Sequence, residues 1–489
     1  MSNRAKPVDA PKPADENQSR EDTGIYLGIF FDGTNNHREQ ASIGEKYREK
    51  IKDGHTEKEA KKQLEAEGLK YKGSALQEND QSNVALLEKH YKEGKKEGNK
   101  YAKIYIEGIG TTEEGDNKTE GSAAGTGETG IRKKVEKALS KIPEKVNSLL
   151  DQKGSLIDLH LEVFGFSRGA AAARNFVYEV IRNKYRFTSK IDCSVCFLFV
   201  DYVGLFDTVS TYGLHEKTKK NIVVASEVIA PLTTKDLTKI PIYANNVKDL
   251  KLDAIRDARY VFQICAADEF REKFALTNIK SAIDKGKGEE IFMPGAHSDI
   301  GGGYAGGKYS TTLKQEKPSG HVTEFDTYIT EKRMRVLGWI ADGLYRGDEC
   351  WNDIINQERG DEIELNYELD NYKTTILGKI EINADIKKGY SYIALHLMKE
   401  NACEKGNDSF ISIRDFEIPD DLKNMDLKEK VKEFDTLEKC LEGMNKVKYK
   451  YLRQNWLHFS ANEAALSIDA IGMSSRRING ILKREIIPG

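Results

Sequence analysis

Ser167 lies in Gly165-Phe166-Ser167-Arg168-Gly169, the pattern G-x-S-x-G. A serine there can act as a nucleophile only if the chain turns sharply beneath it, so the flanks decide. Leu156 to Phe164 alternates apolar and polar residues and ends in an apolar pair, which predicts a strand. Behind the motif, Ala170 to Ala173 and the run Arg174 to Asn183 predict a helix. Strand, tight turn and helix make the pattern a nucleophile elbow; without them it is a Gly-rich turn with a surface serine. The residue types fit an elbow. The serine takes a strained backbone, the glycines let the chain pass close to its neighbours, and the alanines let the helix pack tightly. The Arg168 N–H then points to where an oxyanion would form.

An acid and a base follow in the order Ser…Asp…His, the α/β-hydrolase order. The apolar run Cys196 to Leu205 ends in Phe206-Asp207-Thr208, which puts Asp207 at the expected C-terminal end of a parallel strand. That is where a triad carboxylate belongs, although a turn-capping Asp is about as common. Of nine histidines, His297 has the best setting. It sits in the Gly-dense loop Gly295 to Tyr304 after the apolar run Ile291-Phe292-Met293. His458, in Trp456-Leu457-His458-Phe459-Ser460, is the rival base, and Asp299 is the fallback acid, expected to brace the glycine loop. His160 alternates within the strand before Ser167, and His396 sits in a strand-like run. A second oxyanion donor is expected from Gly33 or Thr34, in the turn after the buried-strand candidate Gly24 to Phe31. No metal or cofactor is needed for such chemistry.

The elements around these residues alternate strand and helix, which predicts a mostly parallel, α/β-hydrolase-like sheet flanked by helices. The 489 residues suffice for a sizeable core. Residues 1–22 are rich in Pro, Lys, Asp and Asn and predict a disordered tail. The catalytic domain is expected over 23–325. It carries a charged helical insertion at 39–73 and a helix capped by Ser82. Residues 326–489 read as a C-terminal mixed α+β module that can fold back on the catalytic domain. Within it, Met334 to Tyr345 has an apolar stripe at helical spacing. It reads first as a core helix; otherwise Trp339 is an interfacial anchor that docks on a membrane.

Several readings are set aside. The net charge of -3 gives no global field for nucleic acid. No apolar run is long enough to span a bilayer, and the N-terminus shows no secretory signal. Cys193 and Cys196 form C-x-x-C on a strand-like segment without a second pair, so two ordinary buried thiols are expected. Asp32-Gly33-Thr34 resembles the haloacid dehalogenase loop, but its nucleophilic Asp would stand at Phe30. Gly125 to Gly130 matches G-x-G-x-x-G, yet a polar stretch rather than a strand leads into it, so it reads as a flexible loop.

Four separated motifs then agree: Phe31-Asp32-Gly33-Thr34, the elbow, Gly204-Leu205-Phe206-Asp207-Thr208-Val209, and the loop Gly295 to Tyr304. Together they resemble the bacterial type VI secretion lipase effectors of the first family, within a broader α/β-hydrolase domain family. Tyr105 to Thr111 fits as well. Ala267-Asp268-Glu269 with Arg271 and Phe274 is similar to the family's A-x-D-E-R-R-x-x-F segment, with Phe270 in place of the first Arg. The resemblance covers about Gly24 to Tyr304, with a weaker echo at Leu457 to Ser460. It implies a phospholipase A-type esterase with Ser167, Asp207 and His297 as triad. It also implies delivery from the cytoplasm into a rival cell's periplasm on a VgrG-type spike, and an immunity protein in the producer. The alternatives are an esterase or peptidase on small substrates, a nucleotide-binding protein using the Gly125 loop, and a non-catalytic spike-associated protein.

Overall fold

The computed structural model describes residues 24–96, 98–116, 127–153, 156–214, 243–245, 247–316, 365–369, 376–458, 460, 477–478, 481–482 and 484–489. The expected N-terminal tail, the boundary at 325/326, the stripe at Met334 to Tyr345 with Trp339, and Gly125 of the loop motif lie outside the described residues.

The strands of the central sheet are β1 (Ile25–Phe31), β2 (Gly94–Lys96), β3 (Asn99–Ile106), β4 (Leu156–Phe166), β5 (Ser194–Phe206), β6 (Tyr260–Ala266) and β7 (Gly288–Met293). They run in the order β7-β6-β5-β4-β1-β3-β2. All neighbours are parallel except β2 and β3. This is the expected α/β class. β1 sits near the middle, and its apolar sequence IYLGIFF follows from burial on both faces.

Register aligns the C-terminal ends of these strands. Phe31 pairs with Gly165, Phe166 with Phe206, Phe206 with Ile264, and Ala266 with Met293. The loops carrying Gly33, Ser167, Asp207 and His297 therefore leave the sheet on one edge, where ligands bind in open α/β sheets.

Two apolar layers enclose the sheet. On one face lie α4 (Ile131–Asn147) and α5 (Arg168–Arg182). α4 contributes Ile131, Val135, Ala138, Leu139, Ile142 and Val146 to this layer, a helical stripe. α5 buries Ala170 to Ala173, Phe176, Val177 and Val180. The other layer contains α3 (Asn83–Lys89) and the C-terminal α7 (Tyr392–Lys405). The fit there is tight: a Cβ at Gly204 would come within 2.6 Å of the Met398 sulfur. Described C-terminal residues thus fold back to cover the central sheet.

The charged insertion forms α1 (Arg38–Lys52) and α2 (Glu57–Ala66), tied by Lys46 and Lys50 to Glu67. Ser82 caps α3 by accepting from the Ala85 N–H at 3.1 Å. Two local expectations are corrected. His396 lies in helix α7, not in a strand; its apolar residues continue into Met, Lys and Glu, good helix formers, with no turn before Gly406. Cys193 is half-buried rather than buried.

A buried acid on β4 gives the fold a pH dependence. Glu162 is fully buried and accepts hydrogen bonds from Tyr91 Oη (2.8 Å) and the Asn407 N–H (3.0 Å). Burial, against those hydrogen bonds, pushes its pKa from 4.5 up to about 7. With the folded pKa raised, its contribution to stability is full below the unfolded pKa and is lost as pH rises through about 7. Unfolding Glu162→Gln and the parent in urea at pH 5 and pH 8.5 tests this. The parent is expected to lose up to about 3 kcal/mol more than the variant between the two pH values. Equal losses would remove Glu162 as the cause.

Candidate active site

Ser167 closes β4 and precedes α5 with φ 60° and ψ -129°, a conformation costly for any residue but Gly. The two motif glycines permit it. A Cβ at Gly165 would lie 2.6 Å from the Ala170 Cα, and one at Gly169 would lie 2.2 Å from the Asp32 carbonyl oxygen. The Ser167 N–H donates to the Phe206 carbonyl at 3.0 Å, which pins the turn to the end of β5.

Asp207 follows β5, also at positive φ (47°), and its N–H donates to the Ile264 carbonyl at 2.9 Å. His297 opens the short helix α6 (His297–Gly301) after β7. The three sequence-predicted residues come from three loops on one sheet edge. His297 Nδ1 lies 2.5 Å from Asp207 Oδ2. An ionised carboxylate only accepts, so Nδ1 carries the proton and Nε2 keeps its lone pair. Nε2 is buried and has no hydrogen-bond partner among the described residues. The ring packs against Phe166 (4.6 Å between centroids) and the edge of Phe274 (5.0 Å). The His297 N–H donates to Glu269 Oε2 at 3.2 Å, and Arg271 pairs with that carboxylate at 2.8 Å.

The charges are set by burial and ion pairing together. Burial alone would raise the Asp207 pKa, but the Arg484 guanidinium and the bond from His297 hold it well below the usual carboxylate range. Burial lowers the His297 pKa, against the pull of Asp207. The site therefore presents a neutral imidazole with a free basic nitrogen beside an ionised acid. That combination can take a proton from a hydroxyl brought to Nε2.

The rival base is engaged elsewhere. His458 Nδ1 donates to Asp299 Oδ1 at 2.7 Å, its N–H donates to Asp299 Oδ2 at 2.9 Å, and its ring stacks on Tyr304 at 3.9 Å. Asp299 also accepts from the Ala296 N–H at 2.8 Å, so it braces the glycine loop as expected. The oxyanion expectation needs one correction. The Gly33 N–H donates to its neighbour Asp32 Oδ1 at 2.7 Å, since that buried carboxylate must collect donors; Ser82 and Tyr105 hydroxyls also reach it at 2.6 Å. Arg168 and Thr34 remain as candidates, and Arg168 Nε donates to Thr34 Oγ1 at 2.9 Å. A surface cleft lined by His37, Arg38, Glu88, Lys103 and Tyr105 does not include Ser167. Among the described residues no cluster of His, Cys, Asp and Glu has the makings of a metal site, and no helix is long and apolar enough to cross a membrane.

Sequence reasoning missed Arg484, whose fork grips Asp207 at 2.6 and 2.8 Å. No motif surrounds it. Glu269 and Arg271 were visible only as part of the segment Ala267 to Phe274 that resembles the family's, with no role attached to either.

The fold and these loops define an α/β-hydrolase-like protein with Ser167 at a strained strand-to-helix turn. Residues 182–316 match the family described as the type VI secretion phospholipase effector Tle1-like catalytic domain. That stretch contains Asp207 and His297 and begins after Ser167. The chain is similar in fold to the Tle1 effector solved bound to the VgrG spike of the Type 6 secretion system. The TM-score is 0.56 at 18% identity, over 99% of each chain. It is also similar, at a TM-score of 0.35 and 15% identity, to an uncharacterized protein from Pseudomonas aeruginosa, over 88% of this chain and 52% of that one. No curated protein matches.

Proposed function

We propose that the chain is a serine hydrolase of the phospholipase A type, an antibacterial effector delivered by a type VI secretion system. The observation that supports the chemistry is His297: Nδ1 bonded to Asp207 at 2.5 Å, and Nε2 buried without a partner at the edge that carries the Ser167 elbow. The Tle1-like match over 182–316 supports the lipid substrate and the secretion route. The Tle1 neighbour's partner supports a VgrG-type spike as carrier. An immunity protein in the producer and action in the target periplasm complete the reading.

In the reaction, the Ser167 hydroxyl gives its proton to His297 Nε2 as its oxygen attacks the acyl carbonyl. Asp207 holds the imidazole in the required tautomer and stabilises the imidazolium. The N–H groups at the start of α5, with Arg168 first, and at Thr34 receive the oxyanion; each such donor is worth about 3 kcal/mol in the transition state. Collapse expels the lysophospholipid alkoxide, which takes the proton from His297. Water activated by the same imidazole then frees the fatty acid.

A fluorophosphonate probe, followed by peptide mapping, tests the nucleophile, and vesicles of phosphatidylethanolamine and phosphatidylglycerol test the substrate. Labelling at Ser167 with release of fatty acid and lysolipid is expected. Labelling with turnover of soluble esters or peptides alone would replace the lipid by a small substrate. Absence of labelling in folded protein would end the hydrolase reading.

A further inference from the structure

The Asp207 carboxylate carries more partners than a catalytic triad requires. Oδ2 accepts from His297 Nδ1 at 2.5 Å and from Arg484 Nη2 at 2.8 Å. Oδ1 accepts from the Ala266 N–H at 2.8 Å and from Arg484 Nη1 at 2.6 Å. An ionised carboxylate offers about four acceptor positions, and here all are taken. Arg484 is itself buried (3% exposed) and also donates to the carbonyls of Ala266 and Phe274. It arrives from the far end of the chain. Ile486 and Ile487 pair in parallel with Leu276 and Thr277, and the Gly489 N–H donates to Asn278 Oδ1 at 3.0 Å.

We propose that Arg484 is a positioning residue of the triad: its guanidinium fork, brought in by the C-terminal tail, fixes the Asp207 carboxylate that orients His297. The proposal rests on the triad reading above.

Two physical effects follow from that placement. The first is geometric. A carboxylate held by one histidine can rotate about its Cβ–Cγ bond, whereas a planar fork binding both oxygens fixes its plane. Only one position on Oδ2 then remains for Nδ1–H. The second effect is electrostatic. Among the described residues, each acid facing His297 comes with a counter-charge: Asp207 with Arg484 from the tail, Glu269 with Arg271 from the loop after β6. The buried Cys265 thiol, the other titratable group beside Arg484, is pushed to a high pKa by burial and stays neutral. The imidazole therefore sits between two neutralised pairs against Phe166 and Phe274. Without the Arg484 charge, Asp207 would favour the imidazolium and remove the free base at neutral pH.

Charge and fork are separable in the full-length chain. Arg484→Gln removes both; Arg484→Lys keeps the charge and loses the fork. The measurements are kcat and KM on a soluble short-chain ester across pH, and the NMR titration of the His297 imidazole, which needs no turnover. For Arg484→Gln, the His297 titration and the acid limb of kcat/KM are expected to move up together by about one pH unit. The same variant should lose about 100-fold in kcat at little change in KM, as displaced catalytic groups do. For Arg484→Lys, the limb stays with the parent while kcat falls. Parent kcat with an unmoved His297 titration in Arg484→Gln overturns the proposal, as does a loss that only tracks the fraction unfolded. If the Gln variant does not fold, parent kcat in Arg484→Lys overturns it. If the parent cleaves no ester, a His297 titration still shifted in Arg484→Gln upholds the Arg484 assignment and sinks only the hydrolase reading.

Discussion

Ser167→Ala is expected to lower phospholipid turnover by about a million-fold, the usual cost of a lost triad nucleophile. The structure explains why the fold should survive. Ser167 precedes α5 without using its side chain as a cap, so no helix bond is lost. The turn is held by backbone bonds, from the Ser167 N–H to Phe206 and from the Ala170 N–H to the Ser167 carbonyl, and alanine keeps both. Alanine meets the same positive φ as serine, so strain is unchanged, and a change of this kind costs within about 1 kcal/mol. The measurement is fatty-acid release from vesicles beside a thermal melt of the same sample. A variant that melts like the parent and still releases fatty acid at about a tenth of its rate contradicts catalysis through this nucleophile.

The elbow was legible because its chemistry is local. Ser167, its two glycines and the alanines behind it are neighbours in sequence, and each is needed by the turn itself. Asp207 and His297 were legible for a related reason: a parallel strand ends just before each, and parallel strands present their ends on one edge. What stayed hidden depends on contacts between distant segments. Arg484 in a short polar run gives no hint that it faces Asp207. Gly33 looked available because an N–H beside Gly and Thr is free to turn; only the structure shows Asp32 buried and drawing that N–H to itself. The strand-like reading of His396 failed because a six-residue window cannot separate period two from a helix that is apolar on most sides. Pairing was misjudged in one respect as well. His458 and Asp299 were each weighed as substitutes in the triad, whereas the structure joins them to each other.

That second couple supplies the sharpest comparison. His297→Asn is expected to be nearly as damaging as Ser167→Ala, about a million-fold, because nucleophile and base act as a unit. The amide of Asn retains a donor for Asp207 but has no basic nitrogen at the Nε2 position. For the same reason the double variant should be no slower than either single one. His458→Asn removes a ring stacked on Tyr304 and the bond to Asp299 Oδ1, but leaves the backbone bond from position 458 to Asp299 Oδ2. Its cost should appear mainly as lost stability of the glycine loop, about 1–3 kcal/mol for a buried donor removed from a carboxylate. Turnover per folded molecule should fall by about tenfold or less. The decisive data are kcat values of both variants corrected for folded fraction by circular dichroism and a thermal melt. If His458→Asn abolishes turnover and His297→Asn spares it, the proton acceptor lies on the C-terminal segment. The 2.5 Å contact between His297 and Asp207 would then serve the fold and not the reaction.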